Sequence, residues 1–112
     1  MEVRIKTEES MTVVELAGSL DSNTSPDVQG QLMPLIVPEC RLILDMKECE
    51  YVSSAGLRVL LMLAKNITKV NGKGVVASLS EEVKDVMEMT GFDHMFSAYD
   101  TAEQAARALT GE

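Results

Sequence analysis

The sequence has no tryptophan, and aromatic residues make up only 4% of it. Leu, Val, Ile and Met must therefore fill the core, and eight methionines make its packing adaptable. Cysteine is scarce: Cys40 and Cys49 stand alone, and their spacing fits neither a CxxC motif nor a metal-ligand pair. Two thiols and an N-terminus, MEVRIKTEES, without an apolar targeting core point to a reducing, cytoplasmic setting. Long apolar runs are missing. The longest, Val59 to Ala64, falls far short of the roughly 20 residues that span a bilayer. Positive charge is in the minority, with 10 Lys and Arg against 18 Asp and Glu and a net charge of −8. That balance disfavours nucleic acid and anionic membrane surfaces as partners. With a single histidine, His94, a Ser-His-Asp set can be drawn only on paper, since Ser54 lacks a Gly-x-Ser-x-Gly elbow, and His94 beside a Gly-Phe-Asp turn reads as a surface residue. The stretch Asn71-Gly72-Lys73-Gly74 lacks the spacing of a phosphate-cradling loop and reads as loop chemistry. The chain is expected to be no enzyme, and to need neither cofactor nor metal.

What is present is an ordinary globular balance, 46% hydrophobic and 25% charged. Its 112 residues suit one domain, 1–112. Strand and helix signals alternate. Val3–Lys6 and Thr12–Leu16 read as a hairpin turning around Glu8–Ser10, with Gly18 ending or bulging the second strand. Ser25, Pro26 and Asp27 read as N-cap, N1 and first-turn acid of a helix that turns Val28, Leu32 and Leu35 or Ile36 inward. Pro34 should kink or shorten that helix, and Pro38 should close it. Arg41–Met46 is a nearly continuous apolar strand, the pattern of a sheet buried on both faces. A helix follows from about Ala55 to Val70, then a strand Val75–Leu79. Ser80 caps a helix closed by Gly91, with Phe92 placed for a contact after that glycine. Phe96 and Ala98 allow a short last strand, and Asp100 or Thr101 caps a final helix to about Leu109. The order ββαβαβα(β)α predicts an α/β fold: a mixed, mostly parallel sheet of four to five strands, about four helices and a leading β-hairpin.

The segment 51–65, YVSSAGLRVLLMLAK, carries the functional signal. At about 100° per residue, Leu57, Leu60, Leu61, Ala64 and Ile67 share one face, which Val59 and Leu63 widen. Arg58, Lys65 and Lys69 occupy the opposite face, with Asn66 at its edge and Met62 among them. In an acidic chain this is a basic stripe, read either as a solvated face or as a docking surface. Ser53 or Ser54 serves as N-cap. One cap needs only one hydroxyl, which leaves the other for modification, with the small residues Ala55 and Gly56 beside it. A phosphate there meets free N–H groups and the positive end of the helix dipole.

The pattern EYVSSAGLRVLL, the strand LILDM before it and the earlier VVELAGSLDSNTSPDV resemble the STAS domain family, in particular its stand-alone anti-sigma factor antagonists. Gly18, Leu20 and Asp21 match a family signature, and the likeness runs from Val13 to about Leu109. The resemblance implies a STAS-like fold and a role as antagonist in a bacterial partner-switching system. The implied partners are an anti-sigma factor with serine kinase activity and a metal-dependent serine phosphatase. Alignment on Gly56-Leu57 puts Ser54 on the family's phosphoacceptor serine, with Ser53 as second choice. Ser53 then stands where the family carries aspartate, and Asp21 and Asp45 match acidic positions near the acceptor. The expected partner-binding set is Asp21, Ser53, Ser54, Ala55, Gly56, Arg58, Met62 and Lys65. A monomer or weak dimer is expected. The alternative is the same phospho-switch acting on a non-sigma target, such as a secretion, motility or signalling component.

Overall fold

In a computed structural model of the chain, residues 1–8, 10–91 and 96–110 are described. Two strands, β1 (Glu2–Glu8) and β2 (Met11–Leu20), form the expected antiparallel hairpin. Helix α1 (Ser25–Leu32) runs into a 3-10 turn, Met33–Leu35, because Pro34 removes an amide from the helical ladder. Strand β3 (Arg41–Asp45) follows, then a short strand β4 (Cys49–Val52) and the long helix α2 (Ser54–Lys69). The chain continues as β5 (Lys73–Ala77), α3 (Glu81–Thr90), β6 (Ser97–Tyr99) and α4 (Ala102–Thr110).

Among the described residues the sheet has six strands, one more than the largest number expected. Its order is β1-β2-β3-β5-β6, and all pairings except the first hairpin are parallel. The additional strand, β4, pairs with the far half of β2, beyond the residues that β3 occupies. Gly18 makes this sharing possible. At φ +110° it takes a conformation that other residues rarely reach, and the register shifts between Gly18 and Ser19. The glycine therefore bulges β2 rather than ending it.

Alternation along the central strands feeds two cores. Val14, Leu16, Leu42, Leu44 and Val76 face α1, α2 and α3. Met11, Val13, Ile43, Val75 and Ala77 face α4 alone, through Ala105 and Leu109. Cys40 and Cys49 are buried free thiols, and burial pushes the Cys49 thiol up. Phe92 and His94 lie outside the described residues. Among the described residues, no helix is long and apolar enough to cross a membrane.

Several local expectations shift by a residue or more. Ser25 is not the cap of α1: it lies inside the helix, with Thr24 at the N-cap position, and its hydroxyl donates back to the Asp21 carbonyl. Ser80 and Thr101 do cap, accepting from the amides of Val83 and Gln104. The buried face of α2 comprises Gly56, Val59, Leu60, Leu63, Ala64 and Ile67. Leu57 and Leu61 are only half-buried, because the helix lies between the sheet and α1 and its core face is turned toward Val59 and Leu63.

Candidate functional site

Strand β4 ends at Val52, level with Leu20 of β2, and the chain turns there into α2. The Ser53 amide donates to the Leu20 carbonyl at 2.9 Å, tying the start of the helix to the end of β2. Ser53 itself is extended, and its Oγ accepts from the Gly56 amide at 3.2 Å. Its carbonyl accepts from Leu57 at 2.9 Å. Of the two serines, then, Ser53 is the cap.

That assignment frees Ser54. It is the first residue of α2, it is exposed, and its hydroxyl has no hydrogen-bond partner among the described residues. The helix geometry leaves the Ser54 and Ala55 amides without intrahelical acceptors, and no acidic side chain occupies the first turn. Any negative group placed on Ser54 Oγ would meet those amides and the positive end of the dipole of a 16-residue helix.

Gly56 belongs to the scaffold. It is buried, and a Cβ placed on it would lie 2.5 Å from the Leu20 carbonyl oxygen and 2.8 Å from Leu20 Cγ. Glycine is what lets α2 come down onto the end of β2. Within the expected contact set Gly56 is the one buried residue. Ala55 and Ser53 are half-buried beside it.

Asp21 flanks the same corner, immediately after Leu20. Its Oδ1 accepts from the amides of Asn23, at 2.9 Å, and Thr24, at 3.1 Å. Thr24 Oγ1 accepts from the Asp21 amide and donates to the Ser19 carbonyl. The Thr24 amide, above all, holds the Asp21 carboxyl below its usual value. The carboxylate thus locks the loop into α1. Asp45 is elsewhere: it pairs with Glu15, at the level where β3 gives way to β4, and its Oδ1 accepts from the Lys47 amide. The fold does not bring it to the Ser54 corner.

Arg58, Lys65 and Lys69 are exposed and Met62 is half-buried. Helical spacing sets them on the same arc as Ser54, with Leu61 at its edge, all within roughly 100°. Ser54 thus heads the stripe. Sequence reasoning passed over Tyr51, which is 54% exposed on β4 just ahead of the cap. The alternation of buried Cys49 and Val52 around exposed Glu50 and Tyr51 was its only signal. Among the described residues, no group of His, Cys, Asp or Glu is arranged to hold a metal ion.

The STAS domain family model matches residues 2–105. A candidate anti-sigma factor antagonist of Bordetella bronchiseptica, BtrV, is 33% identical over 102 residues, covering 90% of this chain and 88% of that one. The anti-sigma-B factor antagonist of Bacillus subtilis is 29% identical, over 80% of this chain and 82% of its own. Among solved structures, an anti-sigma factor antagonist from Mycobacterium paratuberculosis superposes with a TM-score of 0.88 at 22% identity, covering 97% of this chain and 93% of that one. The antagonist SpoIIAA superposes with TM-scores of 0.83 in its unphosphorylated form and 0.74 in its phosphorylated form. The identities are 18% and 17%, over 99% and 96% of this chain and 98% and 99% of those. Fold, segment order and sequence agree: this chain belongs to the STAS domain family, among relatives named as anti-sigma factor antagonists.

Proposed function

We propose that this chain is the antagonist of a partner-switching pair, a binding module rather than an enzyme. With Ser54 unmodified it binds an anti-sigma factor and so releases the sigma factor. The anti-sigma factor, acting as a serine kinase, passes the γ-phosphoryl group of ATP to Ser54 Oγ; ADP and the hydroxyl proton leave. The phosphorylated chain dissociates. A metal-dependent serine phosphatase restores the hydroxyl with water and releases inorganic phosphate.

The observation that carries this reading is the division of labour between the two serines. Ser53 is committed to the cap, while Ser54 is exposed and unbonded at the head of a basic face. Modification at Ser54 leaves the cap intact, so the fold tolerates a charge that an interface does not. A phosphate adds about −1.5 to −2 charges. Burying that against a partner costs enough to weaken binding by orders of magnitude. SpoIIAA, which has this fold, exists in unphosphorylated and phosphorylated forms, in keeping with such a switch.

The departure from the family at Ser53 also has a physical account. Asp and Ser are comparable N-caps, so the structural duty of the position is met by Ser53 and only its charge is lost. The test is binding of a purified anti-sigma factor by wild type, Ser54→Ala and Ser54→Asp. Ser54→Ala should bind like wild type, and Ser54→Asp at least tenfold more weakly. Equal binding by both variants overturns Ser54 as the switch. Phosphate mapped to Ser53 after kinase treatment would overturn it too.

A further inference from the structure

Between Glu50 and Glu81 the sequence has no acidic residue, although the chain carries 18 of them. The cations of that segment are also unspent. Arg4 pairs with Glu2 and Glu48, and Lys6 with Glu15, all around β1. Arg58, Lys65 and Lys69 make no ion pair among the described residues. They line one side of α2 for its whole length, about 22 Å from Ser54 to Lys69. Half-buried Leu61 and Met62 lie between them. A row of unpaired cations on one helix of a chain of net charge −8 runs against the field of the rest of the molecule.

Resting on the antagonist reading above, we propose that this stripe docks on an acidic face of the anti-sigma factor, and that Arg58, Lys65 and Lys69 select the partner by charge. Leu61 and Met62 supply the apolar centre, and the cations form a rim that steers approach. A phosphate on Ser54 stands about one helical turn from Arg58 and offsets that cation, whereas Lys65 and Lys69, about 16 and 22 Å along the axis, lie beyond the screening length of about 8–10 Å and keep their charge. The phosphorylated face therefore loses its attraction at the head of the stripe, where the direct clash also falls. An anionic membrane is the less favoured occupant, because the surrounding charge of the chain repels it.

The experiment is a titration of purified anti-sigma factor with wild-type chain and with the double variant Lys65→Glu/Lys69→Glu, at low and at high salt. Both lysines are exposed, so far-UV circular dichroism should match wild type, while the charge reversal at the last turn of α2 should lower Tm by about 5 °C without loss of a cooperative melt, which certifies the fold. Wild-type affinity should fall about tenfold or more from low to high salt, and the variant should bind at least tenfold more weakly at low salt with a flatter dependence. Salt-independent wild-type binding, or an unchanged variant, overturns the stripe and leaves the Ser54 switch standing. Failure of the wild type to bind any anti-sigma factor overturns both. Lysine-dependent sedimentation with phosphatidylserine vesicles would also overturn the assignment, in favour of a lipid surface.

Discussion

Replacing Gly56 by alanine puts two opposing effects at one position. In an open helix the change stabilises by about 1 kcal/mol, because glycine has the larger backbone entropy to lose. Here the new Cβ would sit 2.5 Å from the Leu20 carbonyl oxygen, about 0.9 Å inside the 3.4 Å at which ordinary contact begins. The obstacle is backbone, and the same oxygen accepts the Ser53 amide. Relief requires the first turn of α2 to lift from β2, straining that hydrogen bond and the cap beside it. Overpacking of this kind costs about 1–3 kcal/mol, and weakening the hydrogen bond about 1 more. After the helical gain is deducted, a net loss of about 1–3 kcal/mol remains, or about 5–15 °C in Tm for a domain of this size. Gly30 is the internal control. It is exposed in α1, and nothing lies within 4 Å of its would-be Cβ, so Gly30→Ala should raise stability by about 0.5–1 kcal/mol. Thermal melts and urea titrations followed by circular dichroism read both. Gly56→Ala melting at or above wild type would refute the close approach of α2 to Leu20.

Ser53→Ala should cost about 1 kcal/mol by urea titration, whereas Ser53→Asp should stay within about 0.5 kcal/mol of wild type, since the cap survives. A similar loss in both would mean that the hydroxyl does more than cap. The Asp21 carboxyl titrates below its ordinary 3.8 in the folded chain, so its ionised form is favoured by folding. The stability it contributes is present above that value and drains away as pH falls through and below about 4. Urea midpoints of wild type should therefore fall more steeply than those of Asp21→Asn over that range, and parallel curves would dissociate the carboxylate from the loop.

Much of this fold was legible because its long elements carry clean periodicity and strong end signals. Ser80, Gly91 and Thr101 bound their helices as their chemistry requires, and Gly91 closes α3 at φ 74°. The segment Cys49–Val52 hid its strand because it is short and half exposed, and because its partner surface exists only after Gly18 bulges β2. No local pattern announces a pairing that depends on a bulge many residues upstream. At Thr24–Ser25 the helix starts one residue earlier than proline chemistry implied, because Ser25 finds an acceptor behind it in Asp21. At the site itself, the family resemblance favours Ser54 as acceptor, but cap chemistry alone leaves open which serine caps the helix. The Ser53 cap, fixed by the Leu20 tether, separates the structural hydroxyl from the exposed one. The sequence shows Gly56 only as a small residue beside the serines, and the space that its missing side chain leaves is taken by Leu20.

Strand β1 forms one border of the sheet, and its outward residues alternate in an order with a hidden symmetry. If two copies were laid border to border, running oppositely and centred on Ile5, Glu2 would oppose Glu8 and Arg4 would oppose Lys6. Every charged pair so formed would be of like sign, which disfavours the pairing. In that register the open rim of the molecule resists ribbon-like pairing of two copies.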